Sequence, residues 1–312
     1  MKTALTLAAA LLAACSAPKP PDSHATASHG FDASSPLPRL KTIPPWLLAG
    51  WAGEDGMPYE AYAASEAEKK ILADAFAGLP APMRKVLDER LLAVYLVKGL
   101  KGNGATTWVV DPSSRTFVYM LLNPAGFQQT VSEVMTERDR TLFKGPADLQ
   151  VEAGALKGIR YTVAHESAHA YDYVHSVTPY ADANYLPEGK DGWTAGWDVW
   201  AEYAKPRPAA DYPLRTKLRF YGFGEPELEP APASALCAQW AKSPFASIYG
   251  SRSWAEDFAE LFVLRHLTQD LGQPLRRICG GKAYSPWDHP KVRARAQKLV
   301  EPLYADRTGK LL

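Results

Sequence analysis

The sequence predicts an α+β fold, and three observations lead to this prediction. Three short segments rich in β-branched and aromatic residues, at 92–97, 106–110 and 116–122, are separated by turn-forming clusters, which is typical of a small sheet. A long apolar run without Gly or Pro follows at 162–173 and favours a buried helix. A second strongly apolar helix is predicted at 253–267.

The first 15 residues have the pattern of an export signal. Lys2 supplies a positive charge, and the apolar segment from Leu5 to Leu12 is too short to span a bilayer. The tetrapeptide that ends at Cys15 resembles the lipobox of bacterial lipoproteins, in which the Cys becomes the lipidated first residue. The alternative is an ordinary signal peptide with an incidental Cys15. We favour the lipobox because the sequence contains only 3 Cys and this one lies where the motif needs it.

The next segment, residues 16–45, is rich in Ser, Pro, Ala and Asp. Such a composition cannot bury enough apolar surface to fold, so we predict a flexible tether. Composition becomes globular from residue 46, and 46–312 is long enough for one domain with a sizeable core. The net charge is +1 without any basic cluster, which argues against a nucleic-acid partner.

Further helices are predicted on both sides of the three strands. Residues 65–78 begin with a capping box, Ser65 and Glu68, and continue with helical apolar spacing. Shorter helical segments are predicted at 86–92 and 133–143, and a surface helix within 287–304 begins after Pro290. Three strands followed by a long apolar helix predict a small sheet stacked on that helix. An edge of such a sheet could bind an extended substrate as an added strand.

The apolar helix at 162–173 contains the motif H-E-x-x-H. A helix places residues four apart on one face, so His165 and His169 can offer two imidazoles to one ion, and Glu166 can act as a general base toward a water beside it. A chance match on a solvated helix is the alternative. The neighbours are apolar, however, and a buried face rarely tolerates three such polar groups without a partner: Val163, Ala164, Ala168 and Ala170.

A long irregular segment, 174–247, follows the motif helix and is rich in aromatic residues. It could line a substrate cleft, because structureless segments of this length are uncommon unless functional, or its aromatic rings could pack a satellite core. Cys237 lies near the end of this segment. Cys237 and Cys279 are the only two thiols left after Cys15. These two could pair in an oxidising envelope or remain free and buried.

A zinc site needs a third protein ligand, and His175 is the first candidate. It lies ten residues after His165, as in the metzincin pattern H-E-x-x-H-x-x-G-x-x-H. Asp172 occupies the Gly position of that pattern, where the backbone must turn sharply, and Asp adopts such a conformation less readily. The pattern also needs a later Met, and the last Met of the sequence is Met135. The metzincin interpretation therefore fails on two counts.

Glu256 and Glu260, one turn apart on the helix at 253–267, are the other candidates. One could bind the metal while the other accepts the free N–H of a ligand histidine. A simpler interpretation is that Ser253 and Glu256 form a capping box and that Glu260 is solvated. Against it, both Glu residues flank Phe258 and Leu261 on a strongly apolar helix.

The motifs taken together resemble a known family. Asp172 extends the first motif to H-E-x-x-H-x-x-D. Tyr249-Gly250 comes later in the chain, and Glu256-Asp257-Phe258-Ala259-Glu260 begins seven residues after Tyr249. This combination, which covers about 165–268, resembles the catalytic domain of anthrax lethal factor and the Pro-Pro endopeptidases.

The resemblance implies a zincin-like metallopeptidase fold, with a small sheet over the H-E-x-x-H helix and a mostly helical C-terminal lobe. It implies a Zn²⁺ ion held by His165, His169 and Glu256, with Glu260 and Asp172 supporting the ligands. Tyr249 would donate to the oxyanion and Glu166 would be the base. The catalytic core would span about 90–270.

We therefore expect a zinc-dependent endopeptidase that acts on protein or peptide substrates and is attached to the bacterial cell envelope by a lipid on Cys15. Residues before about 90 do not resemble the family and the segment 174–247 is longer than expected, so the family's substrate choice does not carry over. The alternative is a non-catalytic envelope lipoprotein with a structural or vestigial metal site. A structural site would need a fourth protein ligand and no base.

Overall fold

The computed structural model describes residues 39–110, 115–180, 197–230 and 233–305. The predicted export signal, Cys15 and residues 16–38 of the predicted tether lie outside these ranges. So does part of the aromatic-rich segment, residues 181–196. Within the described ranges, no helix combines the length and the hydropathy that crossing a bilayer would require.

The described residues form eight α-helices and ten short strands, a mixture that fits the predicted α+β class. The helices are α1 (Pro45–Asp55), α2 (Glu66–Ala77), α3 (Ala81–Arg90), α4 (Val131–Arg140), α5 (Ile159–His175), α6 (Ala233–Trp240), α7 (Trp254–Arg265) and α8 (Pro290–Leu299). The strands are β1 (Leu40–Lys41), β2 (Glu60–Ala61), β3 (Leu91–Lys98), β4 (Gly104–Val110), β5 (Thr116–Leu122), β6 (Leu149–Glu152), β7 (Trp200–Glu202), β8 (Lys205–Pro206), β9 (Arg276–Cys279) and β10 (Lys282–Tyr284).

The largest sheet contains the three predicted strands as β3, β4 and β5. Its order is β1-β3-β5-β4, with β2 paired to the end of β3. Strand β3 runs parallel to β1 and β5, whereas β4 is antiparallel to β5 and, among the described strands, stands at the edge. The three predicted strands are confirmed, and the two-residue strands β1 and β2 are additional.

Both faces of this sheet are buried. Tyr95 and Tyr119 face a core that also holds Trp51 of α1, while Val94 and Met120 face the main core. Helices α2 and α3 pack on α5, and α5 lies against β4 and β5. Because helices cover both faces, β3 and β5 are apolar at nearly every position instead of alternating.

Helix α5 contains the H-E-x-x-H motif and lies at the centre of the molecule. It has no Gly or Pro within its span, and it ends where Ser176 adopts a left-handed conformation with φ 52°. The N–H of Ser176 donates to the carbonyl of Asp172 at 2.7 Å, which closes the last turn. One side of α5 packs on the sheet and another on α7. This packing brings the motif face against the residues of α7.

The other helical predictions are confirmed. Ser65 and Glu68 form the expected reciprocal capping box of α2, and α8 begins at Pro290. The predicted segments at 86–92 and 133–143 overlap α3 and α4, although α3 starts earlier and gives way to β3 at Leu91. The predicted helix at 253–267 contains α7.

The folded part of the protein starts earlier than the predicted tether boundary at residue 45. Leu40 and Lys41 pair with β3, and the buried guanidinium of Arg39 donates to the carbonyl of Asp88 at 2.7 Å. Ile43 is 3% exposed. The Pro-rich composition concealed this short strand, since two residues that are paired by an existing sheet need no apolar periodicity of their own.

A second, antiparallel sheet has the order β10-β9-β6 and carries a disulfide. Cys279 at the end of β9 is bonded to Cys237 on α6, with their Cα atoms 6.4 Å apart. Both cysteines are fully buried. The bond ties α6, which follows the aromatic-rich segment, to a sheet that packs through β6 against α4.

Replacing both cysteines by serine should lower the free energy of unfolding. The disulfide spans 42 residues of sequence, and in the chain-entropy account a closed loop of that length stabilises by about 3–4 kcal/mol. Chemical denaturation of the wild type and the double Ser variant measures the difference. A reductant should destabilise the wild type and leave the variant unchanged. Equal midpoints for the wild type with and without reductant would contradict the prediction.

Candidate metal centre

His165, His169 and Glu256 converge on one point between α5 and α7. The Nε2 atoms of the two histidines are 3.1 Å apart, and Glu256 Oε2 lies 3.1 Å from His165 Nε2 and 3.4 Å from His169 Nε2. Among the described residues, this is the group of three His, Cys, Asp or Glu side chains whose ligand atoms could hold a metal ion. The three possible ligand atoms belong to three different side chains and all face the same position.

These separations fit a tetrahedral metal ion. Ligands at about 2.0–2.1 Å from a tetrahedral zinc lie about 3.3–3.4 Å from one another. Two unprotonated imidazole nitrogens and a carboxylate oxygen also repel one another at such distances unless a cation or proton lies among them. The side chains of His169 and Glu256 keep 11% and 17% exposure, so the point that they face can be reached from solvent.

Glu260 fixes the orientation of His165. Its Oε1 lies 3.1 Å from His165 Nδ1, so a proton on Nδ1 leaves the lone pair of Nε2 directed at the cluster. Glu260 is 2% exposed, and the hydroxyl of Tyr161 donates to the same oxygen at 2.8 Å. Arg138 of α4 donates to it at 3.2 Å.

This carboxylate belongs to a buried charge network. Arg138 also donates to Asp139 at 2.9 Å, and Arg277 of β9 donates to the other oxygen of Asp139 at 2.7 Å. All four charged side chains are at most 2% exposed, and their two positive and two negative charges balance. Burial by itself raises the pKa of Glu260, but the charge of Arg138 and the hydrogen bond from His165 hold that pKa well below its ordinary value.

Two members of the cluster, His165 and Glu256, have strongly shifted pKa values. Burial lowers the pKa of His165, but hydrogen bonds to Glu256 and Glu260 outweigh burial and raise it to about 10. Burial raises the pKa of Glu256, yet hydrogen bonds from His165 and His169 bring it well below its ordinary value. The two carboxylates that face the nitrogens of His165 thus stabilise positive charge at this point, and a divalent zinc ion bound there would supply that charge in place of the proton.

Glu256 is both a helix-capping position and a member of the cluster. The hydroxyl of Ser253 accepts from the N–H of Glu256 at 3.3 Å, which is one of the two bonds of the capping box in the alternative interpretation. The carboxylate nevertheless turns to the histidines through Oε2, while Oε1 accepts from the hydroxyl of Tyr249 at 3.0 Å. Tyr249 lies on a short 3₁₀ turn, Tyr249–Ser251, that packs on α7.

Glu166 lies beside the cluster and is held by the edge strand β4. The hydroxyl of Thr106 donates to Glu166 Oε2 at 2.7 Å. A Cβ atom at Gly104 would lie 2.8 Å from Glu166 Oε1, so only Gly allows β4 to approach this closely. The Glu166 residue is 4% exposed, and burial raises its pKa despite the nearby histidines. A carboxylate with a raised pKa is suited to accept and return a proton.

A pocket opens between Glu166, His165 and Tyr249. Its volume is about 20 Å³, which is enough to hold a water molecule. The remaining wall is formed by residues of the β3–β4 turn, of the first turns of α5 and of the aromatic-rich segment: Asn103, Gly104, Tyr161, Thr162 and Tyr221.

Asp172 and His175 lie outside the cluster. The carboxylate of Asp172 accepts from the backbone N–H and the hydroxyl of Thr178, and burial raises its pKa to about 6. Both of its oxygens therefore serve to hold the turn after α5. His175, the third-ligand candidate of the metzincin interpretation, lies at the end of α5 with its ring 4.4 Å from that of Tyr171. Since α5 continues through residue 172 without a turn, His175 stays remote from His165.

The aromatic-rich segment contributes to both the core and the site. Trp200 is fully buried and donates to Asp257 at 2.7 Å, and Tyr212 bonds to Ser251 at 2.7 Å. Phe220, in contrast, packs edge-on against Tyr249 with ring centroids 4.9 Å apart, and Tyr221 lines the pocket. The packing alternative therefore holds for Trp200 and Tyr212, while the substrate-cleft alternative stays a prediction for the residues that reach the pocket.

Sequence reasoning missed several residues of the site. Arg138 lies in a helix whose sequence is mostly polar, and nothing in that pattern predicts a fully buried guanidinium. Thr106 and Gly104 are recognisable from the sequence only as strand and turn residues. The only sequence signal for these two residues is that their strand belongs to the predicted sheet that precedes the motif helix.

Comparisons of the sequence and the fold with protein-family models, curated proteins and solved structures gave no match. The roles implied by the motif resemblance therefore remain predictions for this protein. The distances within the cluster do not depend on those implied roles.

Changing a member of the cluster should abolish metal binding. We expect His169→Ala and Glu256→Ala to weaken zinc binding by more than about 100-fold, because loss of a supporting partner alone typically costs about 10–100-fold. His175→Ala is the matched control and should keep one zinc per molecule. Elemental analysis after equilibrium dialysis measures the content. Full occupancy in Glu256→Ala would remove Glu256 from the ligand set.

Proposed function

We propose that the protein is a zinc-dependent endopeptidase that hydrolyses peptide bonds in protein or peptide substrates. The observation that carries the proposal is the convergence of His165 Nε2, His169 Nε2 and Glu256 Oε2 within 3.4 Å of one another, with the Glu166 carboxylate beside them. The cluster has three ligand atoms among the described residues, which suits a catalytic zinc site better than a closed, four-ligand structural site.

The proposed fold is zincin-like. A small sheet whose edge strand β4 lies on the H-E-x-x-H helix, and a C-terminal part that supplies Tyr249 and Glu256 from α7 and its approach, support this assignment. The motif resemblance to the lethal factor catalytic domain and the Pro-Pro endopeptidases supports it from the sequence. In that arrangement Glu260 is the partner that orients His165.

A zinc ion bound here would act as a Lewis acid and lower the pKa of a coordinated water toward about 7. Glu166 accepts a proton from the attacking water and later returns it to the leaving amine. Its Oε2 accepts a hydrogen bond from Thr106, and the residue lines the pocket. Burial raises the pKa of Glu166, which favours both halves of this proton transfer.

Tyr249 donates a hydrogen bond to the developing oxyanion. In the structure its hydroxyl rests on Glu256 Oε1 at 3.0 Å, and its ring lies between Phe220 and the guanidinium of Arg138, 4.8 Å from the ring centroid. To reach a substrate oxygen, this hydroxyl must exchange the carboxylate for the new acceptor. A donor held on a packed ring loses little freedom when it makes that bond.

The edge of β4 that pairs with no other described strand is the proposed binding surface for the peptide backbone. Thr106 and Gly104 place this strand directly over Glu166, so a peptide paired to β4 would pass in front of the cluster. Main-chain pairing of this kind binds extended segments of many sequences. We place the enzyme in the bacterial cell envelope, attached by a lipid on Cys15, from the lipobox-like sequence alone.

Glu166→Gln should retain zinc and fold but lose hydrolysis by about 10²–10⁴-fold, since the change removes only the proton acceptor. Cleavage of a quenched fluorescent peptide library, with and without a chelator, measures the activity. Zinc content and thermal unfolding serve as controls. Chelator-sensitive cleavage at the wild-type rate in Glu166→Gln would exclude the mechanism, and a wild type without cleavage would favour a non-catalytic metal protein.

Tyr249→Phe separates two roles of the hydroxyl. If it stabilises the oxyanion, kcat should fall about 10²-fold with little change in KM and full zinc occupancy. If it only holds Glu256, zinc affinity should fall while kcat at saturating zinc stays near the wild-type value. Steady-state kinetics at two zinc concentrations distinguish these outcomes, and we expect the first.

A further inference from the structure

Two cationic side chains share one aromatic ring near the candidate metal centre. The ammonium nitrogen of Lys101 is 4.3 Å from the centroid of the Phe223 ring, and the guanidinium carbon of Arg252 is 6.0 Å from the same centroid. The face of an aromatic ring attracts a cation, which offsets part of the repulsion between the two charges. Since both distances end at one centroid, the two charges are separated by no more than their sum.

The side chain of Lys101 is held by its surroundings. The backbone N–H of Lys101 donates to the hydroxyl of Tyr59 at 2.9 Å. The side chain then passes beside Gly222, where a Cβ atom would lie 3.9 Å from Lys101 Cε. Gly222 has φ 71° and belongs to a turn in which the N–H of Phe223 donates to the carbonyl of Phe220 at 3.0 Å. Backbone on both sides therefore directs the ammonium to the Phe223 ring.

The half-buried ammonium of Lys101 forms no ion pair with any carboxylate of the described residues. Lys98, three residues earlier, pairs with Glu60 at 3.1 Å. In the segment that packs on Lys101, Glu227 pairs with Arg219 instead. A cation in such a position gains a partner when a ligand brings a carboxylate to it.

Arg252 connects this positive charge to the candidate metal centre. It directly follows the turn Tyr249–Ser251, and its N–H donates to the carbonyl of Tyr249 at 3.0 Å. Its guanidinium carbon lies 5.9 Å from the centroid of the Tyr249 ring. The hydroxyl of Tyr249 in turn donates to Glu256 of the cluster. Arg252 therefore borders both the proposed oxyanion donor and the ring that Lys101 contacts.

A peptide paired to β4 would reach these cations at the beginning of the strand. Gly104 and Thr106, near that end, lie against Glu166, and Asn103 and Gly104 line the pocket beside it. Such a peptide crosses the cluster near Gly104 and has the rest of β4 ahead of it in one direction. In the other direction it leaves the strand. The surface there is the turn before β4, whose Asn103 amide donates to the hydroxyl of Tyr221 at 2.9 Å, and this surface holds the two cations.

We propose that Lys101 and Arg252 form a cationic subsite that binds a carboxylate of the substrate, on the side of the cleaved bond that leaves β4 at Gly104. The inference rests on the proposed endopeptidase function and adds the substrate class, acidic peptides. Because Arg252 is 5.9 Å from one ring and 6.0 Å from the other, and each residue of an extended peptide spans about 3.3 Å, we expect the carboxylate within about four residues of the cleaved bond. An Asp or Glu side chain or the C-terminal carboxylate of the peptide has this chemistry.

The effect of the subsite should be a preference of moderate size. Both cations are half-buried, so water still screens an ion pair formed with either of them. One such pair changes binding by up to about fivefold, and two acting on one carboxylate by about tenfold. Because the subsite does not contact the reacting atoms, it should lower KM and leave kcat nearly unchanged.

The test compares matched peptides on the zinc-loaded wild type. Hexapeptides with both ends blocked carry Glu in one peptide and Gln in the other at each position in turn. The wild type should cleave the Glu form about five- to tenfold more efficiently in kcat/KM, on one side of the cleaved bond only and mainly through KM. A second pair, with a free or an amidated C terminus at the preferred position, distinguishes the terminal carboxylate from a side chain. Higher salt should reduce the preference.

Charge changes at Lys101 give the sharpest readout. Lys101→Met keeps the stem beside Gly222 and removes the charge, so the preference for Glu should fall to about twofold or less. Lys101→Glu should reverse it and favour Lys over Gln at the same position, which a loss of packing would not produce. Arg252→Gln provides a second route to a smaller preference if the Lys101 variants do not fold. A preference for Glu that persists unchanged in both Lys101→Met and Arg252→Gln would overturn the subsite.

Lys98→Met is the matched control, because Lys98 is a nearby exposed lysine that pairs with Glu60. Its cleavage profile should equal that of the wild type. Thermal unfolding checks that every variant folds, and zinc content checks that the cluster is loaded.

Binding separates failure of the subsite from failure of the function. Glu and Gln forms of a fluorescently labelled peptide are titrated into zinc-loaded Glu166→Gln and followed by anisotropy. Tighter binding of the Glu form, lost when Lys101→Met is added, supports the subsite even if the wild type cleaves no peptide. Equal cleavage of all Glu and Gln pairs by an active wild type overturns the subsite and leaves the endopeptidase function standing. Equal affinity for both forms, or no binding of either, also overturns it.

Discussion

The carboxylate of Glu260 accepts hydrogen bonds from His165, Tyr161 and Arg138, which lie on two different helices packed against its own. A buried carboxylate is tolerated only when donors replace the water that it has lost. Because the donors come from α4 and α5 and the acceptor from α7, one ionised group fixes the relative position of three helices. The same bond orients the His165 ring, so the packing of the core and the geometry of the candidate metal centre depend on a single oxygen atom.

The network continues from Arg138 through Asp139 to Arg277, whose strand carries Cys279 of the disulfide. Buried ion pairs of this kind often contribute less to stability than apolar residues of the same shape would. The reason for such a network here is therefore geometric. It gives the ring of His165 a fixed direction, which a flexible apolar contact could not provide. It also connects the sheet of β6, β9 and β10 to the site without any residue of that sheet entering the cluster.

Much of the frame was predictable from local patterns, because those patterns act over a few residues. The capping box at Ser65 and the apolar run through His165 specify helices by local hydrogen bonding and spacing. Arg138 and Tyr221 could not be placed in this way. Arg138 can be buried because carboxylates pair with it, and one of them lies on a helix distant in sequence. Tyr221 is positioned by Thr141 and Asn103, and no sequence periodicity connects these two residues to it. Residues whose role arises from contacts distant in sequence leave little local signal.

Strand β4 alternates between two environments: Gly104 and Thr106 face α5, while Ala105 and Val109 pack into the core on the other face of the sheet. A slip of one residue in its pairing with β5 would present Ala105 and Thr107 to Glu166 instead. The Cβ atom of alanine would then intrude where glycine leaves room, and the threonine hydroxyl would arrive at a different height along the helix. The hydrogen-bond register of the edge strand thus determines the surroundings, and with them the reactivity, of a carboxylate on the neighbouring helix. An insertion or deletion in the β4–β5 hairpin would change those surroundings without replacing any residue near the carboxylate.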